Sequence, residues 1–71
     1  MEFKTSEFGK RLRELRHEKG ITGVVLARKI GVRDSTISMW ETGKRTPDLF
    51  HFFDLVVFFQ TSAMYLLGLE D

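Results

Sequence analysis

Residues 22–42 read TGVVLARKIGVRDSTISMWET, and this segment predicts two short helices joined by a tight turn. Thr22 carries a side chain that caps helix N-termini, so it predicts the start of a helix over about residues 23–29. Gly31 follows that helix, and glycine readily adopts the left-handed conformation that ends one. A three-residue turn then leads to a second helix over about residues 34–42. The segment therefore predicts a pair of helices that meet at an angle.

Three further helices are predicted around this pair, over about residues 6–19, 48–59 and 62–67. Ser6 is the expected N-cap of the first, and Gly9 inside it is explained by a close crossing with another helix. Thr46 and Pro47 predict the start of the fourth helix, because proline favours the first helical position. No segment shows the alternation of apolar and polar residues that is typical of a strand.

Length and composition limit the chain to one small domain, residues 1–71. The hydrophobic fraction of 42% and the charged fraction of 30% indicate a globular chain, not a disordered one. Cysteine is absent, which excludes a disulfide framework, a thiolate zinc site and a cysteine nucleophile. The expected fold class is all-α, a compact five-helix bundle.

Charge is divided unevenly along the sequence. The first 46 residues contain all eleven Lys and Arg and six acids, a net charge of +5. From Pro47 onward there are four acids and no cations, a net charge of −4. This division predicts that the first part contacts a polyanion and that the second part has another role.

Three segments resemble the phage-repressor and Cro family of helix-turn-helix proteins. They are residues 22–47, the opening segment FGKRLRELR at residues 8–16, and the closing segment YLLGLED at residues 65–71. The resemblance covers nearly the whole chain. It implies a lambda-repressor-like DNA-binding domain with its helix-turn-helix motif at about residues 22–42, and a third helix that lies in the major groove of double-stranded DNA.

The resemblance also implies roles for individual residues. Arg16 and Glu41 hold the family positions of a partly buried ion pair between the first and third helices. The expected base contacts are Asp34, Ser35 and Met39. The expected phosphate contacts are Lys10, Arg16, Gly23, Arg33, Thr36, Ser38, Lys44 and Arg45.

Several positions depart from the family pattern. Gly23 stands where the family usually has a glutamine that binds a phosphate, and Val25 stands at a position that is usually charged. Met39 cannot hydrogen-bond to a base edge, although it can contact a thymine methyl group. Asp34 can accept a hydrogen bond from a cytosine amino group, but its charge repels phosphates.

The fourth helix is apolar on nearly every side. Phe52, Phe53, Leu55, Val56 and Phe59 are enough to face the core, which leaves an exposed stripe of Phe50, Val57, Phe58 and Met64. A stripe of this kind predicts an interface. We expect a homodimer through helices four and five, bound to a palindromic operator, with interface residues Phe50, Asp54, Val57, Phe58, Thr61 and Met64.

Two alternatives remain open at this stage. The apolar residues of the fourth helix can instead belong to a thick core with tilted helices. The chain can also be a helix-turn-helix scaffold, natural or engineered, that serves as a protein-interaction or homodimerisation module with weak or lost DNA binding.

Other activities find no support in the sequence. His51 and Asp54 share a helix face, but two ligands do not make a metal site, so no metal or cofactor is expected. No catalytic motif is present, and we expect neither an enzyme nor a small-molecule substrate. Residues 49–59 are too few to span a membrane, and residues 1–10 do not resemble a signal peptide. The expected location is the cytoplasm.

Overall fold

The computed structural model describes residues 3–70, and this part of the chain contains helices and no strand. The helices are α1 (Thr5–Glu18), α2 (Gly23–Ile30), α3 (Asp34–Glu41), α4 (Leu49–Phe59) and α5 (Ala63–Leu66). Their number and order agree with the prediction, and the all-α fold class is confirmed.

One hydrophobic core receives side chains from all five helices. Its members are Phe8, Leu12, Leu26, Ala27, Ile37, Trp40, Leu55 and Leu66, each at most 3% exposed. α3 packs against both α1 and α2. Because α3 is short, Ile37 and Trp40 fix which side of it faces the core, and its other side is therefore turned outward.

The crossing of α1 over the end of α3 depends on Gly9. A Cβ atom at this position would lie 2.6 Å from the carbonyl oxygen of Trp40, and the carbonyl oxygen of Glu41 is closer still. Both atoms belong to the backbone and cannot rotate away. Glycine at position 9 therefore allows the close approach that places α3 against α1.

Local hydrogen bonds define the turn between α2 and α3. The hydroxyl oxygen of Thr22 accepts from the backbone N–H of Val25 at 3.2 Å, as expected of an N-cap. Gly31 ends α2 with φ at +86°, in the left-handed region. Its N–H and that of Val32 both donate to the carbonyl of Ala27. The predicted cap and stop are thus both present.

Two helix starts differ from the prediction. α1 begins at Thr5 with Lys4 in the N-cap position, so Ser6 is not its cap. α4 begins at Leu49, and its cap is Asp48, whose carboxylate accepts from the N–H of His51 at 2.8 Å. The prediction of Thr46 as cap was wrong, because aspartate is the stronger N-cap and lies closer to the helix. This hydrogen bond from His51 lowers the pKa of Asp48.

The sequence-based assignment of α4's sides was wrong at two positions. Phe53, expected in the core, is 63% exposed, and Phe58, expected on the surface, is half-buried. Leu55 is fully buried and sets the inward direction of the helix. Phe53 points about 160° away from it, whereas Phe58 lies within about 60° of it. Phe58 packs edge-on against Phe59, with ring centroids 5.0 Å apart.

The outward side of α4 is consequently apolar along its length. We call it the α4 outer face, and it consists of Leu49, Phe50, Phe53 and Val57, which are 77%, 80%, 63% and 57% exposed. The thick-core alternative is therefore wrong for these four side chains.

Candidate nucleic-acid interface

The outward side of α3 carries the predicted base contacts. Asp34 and Ser35 are exposed at the first turn, and Met39 is half-buried one turn after Ser35. One carboxylate oxygen of Asp34 accepts from the N–H of Ser35 at 2.9 Å. Because Asp34 is exposed and a carboxylate can accept several hydrogen bonds, it keeps acceptor capacity for a ligand. Of the two predicted phosphate contacts on α3, Ser38 is exposed and Thr36 is half-buried.

A surface pocket of about 250 Å³ lies where α1, the start of α2 and α3 meet. Its lining is Arg13, Arg16, Gly23, Asp34, Ile37, Ser38, Glu41 and Thr42. Because Gly23 has no side chain, the backbone at the start of α2 is open to this pocket. The N–H of Val25 is taken by the Thr22 hydroxyl, but those of Gly23 and Val24 have no partner within the helix and remain available to an anion.

Arg13 is a candidate phosphate contact that the sequence reasoning missed. It is exposed and lines the same pocket as Gly23 and Asp34. The available signal was its position three residues before Arg16, which places both arginines on one side of α1. Lys10, also exposed, lies one further turn back on this side.

Arg16 and Glu41 join α1 to the end of α3 through two hydrogen bonds. Arg16 Nε lies 2.7 Å from Glu41 Oε2, and Arg16 Nη2 lies 3.1 Å from Glu41 Oε1. Arg16 Nη1 donates to the carbonyl of Ile21 at 3.0 Å. The side chains are only 13% and 9% exposed. The hydrogen bond from Arg16 to Glu41 raises the pKa of Arg16.

These contacts limit what Arg16 can do for DNA. A guanidinium has five N–H donors, and three of those of Arg16 are directed at Glu41 and Ile21. Its predicted role as a phosphate contact therefore depends on the remaining two donors. Arg13 is nearby and more exposed.

Exposed cations lie at both ends of α3. Arg33 occupies the N-cap position without using its side chain as a cap. Lys44 and Arg45 follow the helix, and their N–H groups donate to the carbonyl of Met39 at 2.9 and 3.2 Å. The backbone of this loop is thus fixed to α3, while both side chains remain exposed.

Residues 3–70 show no sign of another kind of site. No group of three or more His, Cys, Asp or Glu side chains in this range is arranged to hold a metal ion. His51 lies with Nδ1 3.1 Å from the Asp48 carboxylate, and its ring is tilted by 47° against that of Trp40, with centroids 5.8 Å apart. None of the described helices has the length and apolar character needed to cross a membrane.

Comparisons with known proteins agree with this arrangement. A family model described as helix-turn-helix matches residues 12–66. The chain is similar to the P22 c2 repressor protein, whose crystal structure is in complex with synthetic operator 9T in the presence of Tl+. The two sequences are 30% identical and the TM-score is 0.84, over 89% of this chain and 96% of that one. The restriction-modification controller protein C.AhdI from Aeromonas hydrophila is 32% identical, with a TM-score of 0.79, over 87% and 94%. No curated protein matches the chain in sequence.

Proposed function

Because this chain belongs to the helix-turn-helix family, we propose that it is a repressor-type transcriptional regulator that binds double-stranded DNA. In this proposal residues 1–71 form a single domain, and α3 enters the major groove. The observation that carries the proposal is the outward side of α3, where exposed Asp34 and Ser35 lie between cations on either end of the helix. The protein has no enzymatic role and acts in the cytoplasm on operator DNA.

Phosphate contacts supply most of the proposed affinity. Lys44 and Arg45 flank the end of α3, and their loop is held to the helix by backbone hydrogen bonds. Arg13 and the open backbone at Gly23 form a second cluster beside the pocket. Each neutralised phosphate releases counterions, so binding weakens steeply as salt rises.

Base reading rests on three side chains of α3. The free carboxylate oxygen of Asp34 accepts a hydrogen bond from a cytosine amino group, and the Ser35 hydroxyl donates or accepts. Met39 contacts a thymine methyl group. The negative charge of Asp34 opposes approach to phosphates, but Arg13 lines the same pocket and offsets it, since the charge of Arg16 is already paired with Glu41.

The proposed active form is a homodimer on a palindromic operator. Phe50, Val57 and Met64 of α4 and α5 are at least 50% exposed, and Asp54 is exposed beside them. Thr61 and Phe58 are half-buried, which limits their part in an interface. Closed twofold pairs are the commonest assemblies of soluble proteins, and two half-sites then match two copies.

A titration of duplex DNA at low and at physiological salt tests the proposal. We expect the logarithm of the binding constant to fall linearly with the logarithm of the salt concentration. Lys44→Ala is expected to reduce this slope by about 1 and to weaken all sequences alike. Ser35→Ala is expected to change the preferred sequence and leave the slope unchanged.

Lys19→Ala is the matched control for the loss of charge. The ammonium of Lys19 lies 5.1 Å from the ring centroid of Phe58, on the side of α4. Its removal lowers the net charge as much as Lys44→Ala does. A salt slope that falls equally in both variants would show that the cations around α3 have no special role.

A second function is favoured by the α4 outer face. Large apolar side chains in contact on a surface mark protein interaction sites. In this reading the chain is a protein-interaction or homodimerisation module without meaningful DNA affinity. Failure to bind any duplex at low salt, with self-association retained, would assign this function instead.

A further inference from the structure

Three of the four residues of the α4 outer face are arranged symmetrically about Phe53. Leu49 and Val57 lie four residues before and after it, and all three side chains are exposed by more than half. Residues four apart form a continuous ridge along a helix. The ridge therefore has an aromatic centre and an aliphatic side chain at each end, about 12 Å apart along the axis.

Such a ridge suits a second copy of the same chain. In a twofold interface, residue i of one copy meets residue j of the other, and j meets i in return. An antiparallel pair of α4 helices would place Leu49 of each copy against Val57 of the other, with the two Phe53 rings at the centre. No residue needs a partner of a different chemical type.

We propose that two copies of the chain associate through the α4 outer face, with their α4 helices antiparallel and Phe53 at the crossing point. The inference rests on the homodimer proposed above and specifies its geometry. Ridges of residues four apart pack into each other at about −50°. Phe58, which the sequence had assigned to the interface, is turned toward the core and lies outside this contact.

The four residues of the α4 outer face are apolar, so neither an acidic nor a basic partner finds a charge on it to pair with. After Arg45 the chain has no Lys or Arg, so the face offers no cation to an acidic partner. Asp54 is the one charged residue of α4, and it points about 100° away from Phe53. Its carboxylate therefore stays at the rim in water, where like charges are screened over about 8–10 Å.

The area indicates a weak dimer. Phe50 and Phe53 together expose roughly 300 Å², taking about 200 Å² for each aromatic side chain. A standard interface buries about 800 Å² on each partner. Leu49 and Val57 add to the contact but leave it at the small end of this range. A contact of this size is typical of weak, transient association, so we expect dissociation at about micromolar concentrations.

Disulfide trapping tests the geometry, because the chain has no cysteine of its own. Packed helix axes are 8–10 Å apart and Cα atoms lie about 2.3 Å from each axis, so facing Cα atoms at the crossing approach to about 4–5 Å. Disulfides form at Cα separations up to about 7 Å. We therefore expect Phe53→Cys to give a covalent dimer under mild oxidation.

Val57→Cys is the matched control on the same face. Its two copies would lie on opposite sides of the crossing, about 11 Å apart, which is too far for a disulfide. The expected rate of covalent dimer formation is at least about tenfold lower than for Phe53→Cys, since random collisions alone remain. Equal rates for the two variants would overturn the geometry.

Sedimentation of cysteine-free protein separates this inference from the homodimer itself. The wild type is expected to dimerise in the micromolar range, and Phe53→Glu is expected to be monomeric with unchanged helix content. A wild type that stays monomeric at high micromolar concentration refutes both the homodimer and its geometry. A dimer that survives Phe53→Glu, without cross-linking through Phe53→Cys, refutes only the geometry.

Discussion

The pair formed by Arg16 and Glu41 makes a quantitative prediction about stability. The two side chains are 13% and 9% exposed and share two hydrogen bonds, so either one left alone would be a nearly buried charge without its partner. Loss of one member of a buried pair costs about 3–5 kcal/mol. The pair borders an open pocket that admits water, which favours the lower end. We expect about 3 kcal/mol for Arg16→Met and for Glu41→Leu.

The double variant is expected to lose less than either single variant. With both charges removed, apolar side chains of similar volume can pack between α1 and α3, and replacements of this kind are often neutral or favourable. The carbonyl of Ile21 loses its donor, so we expect a remaining loss of about 2 kcal/mol. With about 3 kcal/mol lost in each single variant and about 2 kcal/mol in the double variant, the coupling energy is about 4 kcal/mol, above the range of about 0.5–3 kcal/mol usual for residues in contact.

Urea denaturation measures all four proteins. Trp40 is the only tryptophan and is 3% exposed, so its fluorescence reports unfolding of the core. A loss of 3 kcal/mol also lowers Tm by about 12–24 °C in a domain of this size. Additive losses in the double variant would refute the reasoning, because they would mean that neither charge depends on the other.

Two further predictions concern Gly9 and Asp48. Gly9→Ala is expected to lower the free energy of unfolding by about 2 kcal/mol or more in urea denaturation, because the added Cβ would overlap the backbone of α3. The gain of about 1 kcal/mol in helix propensity is too small to offset this overlap. An unchanged or higher stability would contradict the close crossing. The pKa of Asp48 is lowered by the His51 N–H, so its ionised form stabilises the fold above its ordinary pKa of about 4, and this contribution disappears as the pH falls through the lower, folded-state pKa. Asp48→Asn keeps a capping side chain without the titration, and its stability is expected to fall less than that of the wild type over this acidic range; identical pH profiles would argue against the cap.

The helix-turn-helix segment could be predicted because its determinants are local. Thr22 caps α2 through a hydrogen bond three residues away, and Gly31 ends it in a conformation that suits glycine. Ile37 and Trp40 fix the direction of α3 by their spacing alone. Each of these signals acts within one or two helical turns, so the sequence pattern was sufficient.

Which side of α4 faces the core could not be predicted, because its determinants are not local. Nine of its eleven residues are apolar, so hydrophobic periodicity does not distinguish Phe53 from Phe58. The direction is set by Leu55, which is buried because of how α4 packs against the rest of the core. That choice depends on contacts between distant segments, which a periodic pattern does not contain.

The candidate site also has one part that the sequence could predict and one part that depends on how the helices pack. Asp34 and Ser35 could be placed on the outward side of α3 from the sequence, since their neighbours on the helix are core residues. The pocket beside them requires the close crossing at Gly9, which brings Arg13 to the start of α2. The spacing of Arg13 from Arg16 could have placed both on one side of α1, but the position of Arg13 beside Gly23 was apparent only once the helices were packed.

The salt-dependent titration of duplex DNA tests the central claim most directly. An oligonucleotide pool bound at low salt, followed by titration of the selected duplex at physiological salt, is expected to yield a palindromic sequence and a steep negative salt slope. Lys44→Ala would make that slope shallower, and Lys19→Ala would leave it as it is. A protein that is folded by Trp40 fluorescence yet binds no duplex at either salt concentration would contradict the claim that α3 and its flanking cations form a DNA-binding surface.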